Sequence, residues 1–142
     1  MIVPDANMLI YAYDATSPFH KRARSWWESV LSGIEPVGVP WIVILAFVRI
    51  MTHPTLSANP MTVRQVRDAV AAWLSLSHVR ILVTTPCTLD LFFDLLTSAG
   101  TGGNLSTDAM IAALASEHGG CVFSNDGDFR RFANTTWRNP LA

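Results

Sequence analysis

Met1-Ile2-Val3-Pro4-Asp5-Ala6-Asn7-Met8-Leu9-Ile10-Tyr11 opens the chain, and its reading decides the fold. A short apolar run delivers an aspartate, and an apolar, helix-compatible segment follows at once. In a parallel α/β sheet the C-terminal end of a strand is where ligands bind. Asp5 is expected at such an edge, with the Asn7 amide two residues on as a hydrogen-bonding helper. Asp is also a favoured helix cap, and taken alone this stretch reads more simply as a plain turn or N-cap aspartate. The partners that separate the two readings lie at the far end of the chain.

Outward from that start, strands and helices alternate. Ser17-Pro18 signals a helix start, with a helix to about Ser32 closed by Gly33. Its basic cluster (His20, Lys21, Arg22, Arg24) and Trp26-Trp27 read as a solvated face over core-packing tryptophans, or alternatively as a phosphate-contacting rim with stacking aromatics. Val37 to Val39 is a short strand. Trp41 to about Met51 is apolar on nearly every face, which predicts a buried helix with Arg49 as its one charge. Thr52-His53-Pro54 ends it, because the residue before proline avoids the helical region. Thr62 opens another helix with Val63, Val66, Val70, Trp73 and Leu74 in one stripe. Val79 to Val83 is a strand, and Pro86 starts a helix through Leu96. Gly100 to Asn104 connects to an apolar helix from Ser106 to Ala115. Cys121-Val122-Phe123 is a buried strand running into Ser124-Asn125-Asp126-Gly127-Asp128-Phe129, and Thr135 to Trp137 adds an edge strand. This alternation predicts a three-layer α/β/α sandwich with a mainly parallel central sheet, in one domain over 1–142.

Composition narrows the function classes. Half of the 142 residues are hydrophobic and 15% are charged, which excludes a disordered tail and permits a proper core. The net charge of −1 carries no global nucleic-acid signal, yet nine of the ten basic residues are arginine, the side chain that grips phosphate through a planar fork. Two distant cysteines, Cys87 and Cys121, exclude a disulfide framework and fit a reducing cytoplasm. No signal-peptide pattern is present, and Val39 to Val48 is the longest apolar run, far below the ~18 residues of a membrane span. A cytoplasmic protein without membrane partners is the expectation.

The chemistry concentrates in aspartate. Asp5 ends one strand, Asp126 and Asp128 follow another, and Asp108 lies in the first turn of a buried helix. Each has a local explanation as a cap, a turn residue or a complement to a helix dipole. If the strand ends share one edge, the four carboxylates converge. Like charges that close are unfavourable unless protonated or neutralised by a cation. Hard oxygen ligands suit Mg²⁺ or Mn²⁺, and a metal so held activates water and stabilises an in-line displacement at phosphorus.

These residues, with Asp5-x-Asn7-x-Leu9-Ile10-Tyr11 at the start, Leu45-Ala46-Phe47-Val48-Arg49 in the middle, Asp108-Ala109, and Ser124-Asn125-Asp126-x-Asp128-Phe129 near the end, resemble the PIN-domain ribonucleases, specifically the VapC toxins of bacterial type II toxin–antitoxin pairs. The resemblance runs over nearly the whole chain. It implies a parallel sheet flanked by helices and Mg²⁺- or Mn²⁺-dependent endoribonuclease activity on an RNA substrate. It also implies a cognate VapB-type antitoxin and a homodimer. By the same resemblance Asp5, Asp108 and Asp126 are the metal-site acids, Asp128 is an additional acid, and Asn7 and Ser124 are polar helpers. One departure stands out. The family often carries a glutamate three residues before the arginine of the middle helix, and Ala46 occupies that position. That favours one well-held ion over two, with neither Glu35 nor Glu117 placed as a substitute. Arg49 is expected to pair with an acid of the site as a buttress, or alternatively to reach the phosphate. Two other readings compete. A haloacid-dehalogenase-like phosphatase wants a second acid where Asn7 stands; a catalytically degenerate PIN-like module that binds RNA or protein draws its support from Ala46.

Overall fold

The computed structural model describes residues 1–142. Five strands form one all-parallel sheet in the order β3-β2-β1-β4-β5: β1 (Ile2–Pro4), β2 (Val37–Pro40), β3 (Val79–Leu82), β4 (Cys121–Phe123) and β5 (Trp137–Arg138). Six helices connect them: α1 (Ala6–Tyr13), α2 (His20–Ser32), α3 (Trp41–Met51), α4 (Val63–Leu74), α5 (Pro86–Ala99) and α6 (Ser106–Glu117). The chain walks from β1 to β3 in one direction and then returns across β1 to β4. Right-handed crossovers place α1 to α4 on one face of such a sheet and α5 and α6 on the other. The packing of α1 on α2 and α3, and of α5 on α6, agrees with those layers. The strands β1, β2 and β4 are apolar because helices cover both faces. The reversal of direction falls between β1 and β4. Their carboxyl ends therefore open a crevice at a topological switch point, the place where such sheets take ligands.

The core is a single cluster in which Phe47, Trp27 and Trp73 meet edge to face and the Trp73 Nε1 donates to the Tyr13 hydroxyl at 2.8 Å. Aromatic pairs of this kind add about 0.5–1.5 kcal/mol each beyond their buried area. Helix ends follow local chemistry. Asp5 caps α1, Thr62 and Gln65 form a capping box on α4, Thr85 and Thr88 do so on α5, and α5 stops at Gly100 with φ of 75°.

Several expectations are corrected. The helix expected from Ser17-Pro18 begins at His20, because the Ser17 hydroxyl accepts from Phe19 N–H and closes a turn instead. Helix α3 is not buried all round: Trp41 is 55% exposed, Leu45 53%, and Arg49 is also in solvent, one face of the helix spaced by four residues. The α4 stripe loses its first member, since Val63 sits in the first turn, beyond the neighbouring elements, and is 72% exposed. Helix α5 runs on to Ala99, and a 3-10 turn at Gly103–Leu105 occupies the end of the glycine-rich connection.

Candidate metal and active site

Strand register builds the site. In the parallel β1–β4 pair Pro4 lies opposite Phe123, so the next residues, Asp5 and Ser124, emerge side by side at the carboxyl edge. The Asp5 N–H donates to Phe123 O at 2.9 Å, continuing the ladder by one residue. One Asp5 oxygen accepts from Ala6 N–H at 2.7 Å as the cap of α1; the other accepts from the Ser124 hydroxyl at 2.6 Å. Ser124 is a hub. Its Oγ also accepts from Asp126 N–H at 2.9 Å and from Asn7 Nδ2 at 3.2 Å. The Asn7 amide thus bridges α1 to the turn after β4, with its Oδ1 accepting from Asn125 N–H at 3.4 Å.

The outer strand secures this turn from the other side. Ser124 N–H donates to Arg138 O at 3.0 Å, Trp137 Nε1 donates to Ser124 O at 3.1 Å, and Asn139 Nδ2 donates to Asn125 Oδ1 at 3.0 Å. Asp126 then caps a 3-10 turn over Gly127–Arg131 by accepting from Asp128 N–H at 2.9 Å. Trp137 and Asn139 went unmarked as supports in the sequence reading. Their only signal was a tryptophan and an asparagine in a short tail, which spacing alone does not connect to Ser124.

Asp108 arrives from α6, in the first turn of that helix. One carboxylate oxygen each from Asp108, Asp126 and Asp128 lies within 4.8 Å of the other two. Asp5 stands beside this cluster, each of its oxygens accepting one hydrogen bond from the protein, and its charge reaches Asp108. The electrostatics record the crowding. Partial burial and then the charges of Asp5, Asp126 and Asp128 push the Asp108 carboxyl up to about 7. Asp5, 8% exposed, is also raised, chiefly by burial, against the pull of the Ser124 hydroxyl and the Ala6 N–H. A group of acids that resists full ionisation is one that a hard divalent cation would stabilise. All donors offered are carboxylate oxygens, so the residues fit Mg²⁺ or Mn²⁺ and not a softer metal.

Other predicted residues fall elsewhere. Arg49 is exposed and makes no ion pair, so the expected buttress to a site acid is absent; an exposed guanidinium is solvated by water and needs no buried partner. Neither glutamate replaces the one missing at Ala46. Glu117 accepts from Thr88 Oγ1 at 2.8 Å at the start of α5, and Glu35 lies 4.0 Å from the N-terminal ammonium. On α2, Arg24 pairs with Glu28, Arg22 donates to Leu141 O, Trp27 is buried and Trp26 stacks on Phe123, which bears out the solvated face over core-packing tryptophans.

Comparison with known proteins shows the family. Residues 2–134 match the model of the PIN domain. The chain is 39% identical to ribonuclease VapC37 of Mycobacterium tuberculosis over 142 residues, covering 100% of this chain and 99% of the relative. It is 36% identical to ribonuclease VapC33 of the same species over 141 residues, 99% of each. Among solved structures, VapBC2 from Rickettsia felis, bound to a DNA fragment from its promoter, is similar in fold with a TM-score of 0.69 and 16% identity over 98% of each chain. The chain belongs to the PIN-domain family, and the relatives that match it from end to end are VapC ribonucleases.

Proposed function

We propose that the protein is a divalent-metal-dependent endoribonuclease toxin that hydrolyses RNA phosphodiester bonds in the cytoplasm and is neutralised by a cognate VapB-type antitoxin. The observation that carries this reading is the convergence of Asp108, Asp126 and Asp128, flanked by Asp5, at the β1–β4 switch point. The full-length likeness to named ribonucleases supports the substrate class. Asp5, Asp108 and Asp126 hold Mg²⁺ or Mn²⁺ directly or through its waters, and Asp128, exposed beside them, positions the attacking water. Asp108 and Asp126 belong both to this set and to the oxygen cluster. The ion, when bound, supplies Lewis-acid activation of water and stabilises charge developing on phosphorus.

The chain's own residues do the positioning. Ser124 orients the Asp5 carboxylate and fixes the backbone that presents Asp126; Asn7 fixes Ser124. Burial and the neighbouring charges raise the Asp108 carboxyl towards neutral pH, and a bound divalent cation would favour its ionised form. This retained machinery gives a degenerate binding module no specific support beyond Ala46. A second copy pairs on the outer face of α3, where Trp41 and Leu45 are exposed beyond what a solvated helix needs; sedimentation at micromolar concentration reports that assembly.

Cleavage of a total cellular RNA pool by purified protein, with Mg²⁺, Mn²⁺ or EDTA, tests the reading. Discrete metal-dependent fragments are expected from wild type and none from Asp5→Asn. That variant retains a capping side chain for α1, so its fold survives. Undiminished cleavage by Asp5→Asn overturns the site assignment, and no cleavage with any metal, in protein shown free of antitoxin, overturns the activity.

A further inference from the structure

Arg130 lies in the turn that carries Asp126 and Asp128, and its guanidinium is held there without using its hydrogen-bond donors. The group stacks over the Trp137 ring, with Cζ 5.2 Å from the centroid. It also presses on Gly127, where an added Cβ would come within 2.8 Å of Nη2. Trp137 is itself fastened, by its Nε1, to the carbonyl of Ser124. Although it stands two residues after Asp128 in the chain, Arg130 makes no ion pair and its side chain no hydrogen bond within the protein. Contrast Arg24, spent on Glu28, and Arg22, spent on the Leu141 carbonyl. A guanidinium resting over an indole is restricted in position, and the exposed Arg130 keeps donors open to solvent. That is a prepositioned fork, hydrated but without a protein partner, in the turn that carries two acids of the site.

We propose that Arg130, seated on Trp137 and Gly127, grips a backbone phosphate of the bound RNA strand where the strand leaves the acid cluster over β5. The inference rests on the ribonuclease reading and names the residue that holds the substrate there. Bidentate recognition of phosphate is what a planar fork offers and a flexible ammonium does not. Opposite the repulsion of four carboxylates, such a contact also offsets the cost of bringing a polyanion to this edge. Gly127 keeps the seat clear: its φ is not in the left-handed region, so an alanine there is tolerated by the backbone and displaces only the guanidinium.

The test is binding of a fluorescein-labelled, mixed-sequence single-stranded oligoribonucleotide, followed by anisotropy in Ca²⁺ across a salt series. Cleavage of the same RNA in Mg²⁺ is measured in parallel. Arg130→Gln is expected to weaken binding about tenfold, the scale of one charge-assisted contact, and to flatten the salt slope by about 0.7, the single-strand value for one phosphate. KM should rise more than kcat falls. Arg130→Lys restores part of the affinity and most of the slope, as a point charge would. Gly127→Ala, which keeps the charge but moves it, should weaken binding severalfold. Arg64→Gln, an exposed arginine on α4, serves as the unaffected control. Wild-type affinity and slope in Arg130→Gln overturn the proposal while leaving the nuclease intact. Wild-type protein that neither binds nor cleaves the RNA overturns the underlying reading, and this inference with it.

Discussion

The two walls of the crevice are built on opposite principles. On the β1–β4 wall, Asp5, Ser124 and Asn7 are tied into a network whose bonds run between 2.6 and 3.4 Å, and Trp137 and Asn139 brace it from β5. On the facing wall, Asp108 comes from α6 with no backbone or neutral side-chain donor, towards Asp126 and the exposed Asp128 of the turn after β4. One wall is complete without a ligand; the other gathers negative charge that the protein alone does not neutralise. Position and reactivity are thus divided between the walls, and substitutions on each should fail differently.

Asp108→Asn is the sharpest way to separate them. Losing a carboxylate from the cluster should reduce cleavage by more than the ~100-fold limit seen for supporting residues around metals. The same change should stabilise the metal-free protein at pH 8, because it removes a charge that its neighbours oppose. Parallel activity assays and thermal melts in EDTA check both, and destabilisation at pH 8 would contradict the electrostatic account. Ser124→Ala strikes the other wall and should do the reverse. It strands the Asp5 carboxylate and Asp126 N–H, costing about 1.5–3 kcal/mol of stability by urea unfolding and roughly 10–100-fold in metal affinity by calorimetry.

Acidity offers a gentler probe. The Asp108 carboxyl is raised from 3.8 to about 7 in the folded protein, so between those values the folded state binds more protons than the unfolded chain. Metal-free stability from this group is therefore highest below pH 4 and declines as pH rises towards 7, then levels off. Metal affinity runs the opposite way, rising up to about pH 7, with proton release below it that calorimetry in buffers of different ionisation enthalpy will count. Mg²⁺ at 100 times its Kd should add about 2.7 kcal/mol to the stability of wild type, visible in the melting temperature, and much less to Asp108→Asn. The smallest effect belongs to neither wall. Arg49→Gln should change stability by less than ~0.5 kcal/mol, because the side chain is exposed and makes no ion pair.

Local patterns carried much of this structure. The apolar runs before Asp5 and Ser124 and the Thr62 and Pro86 helix starts each act within a few residues, so a sequence states them directly. Asp5, Asp108, Asp126 and Asp128 were legible as candidates for the same reason: each ends a strand or starts a helix, and the alternation of elements brings such ends to one edge. Their capping roles proved real as well. Asp5 caps α1 and Asp126 caps the 3-10 turn while both stand at the site, so the local and the functional explanations of these residues were never exclusive.

What remained hidden depends on contacts between residues far apart in the chain. Apolar periodicity places α3 against the sheet but does not say how much of its circumference neighbours cover, and Trp41, Leu45 and Arg49 occupy the uncovered part. The two glutamates were unplaceable because long side chains go where donors are, and Thr88 and the amino terminus lie far from Glu117 and Glu35 in sequence. The chain by itself determined the order of strands and helices and the residue types at their ends, since those follow from local periodicity and capping. Only the tertiary structure decided that β1 and β4 are neighbours in register, that Ser124 meets Asp5, and that Trp137 seats Arg130 beside Asp126 and Asp128. Strand pairing and side-chain seating are set by packing of the whole core, and no single stretch contains that information.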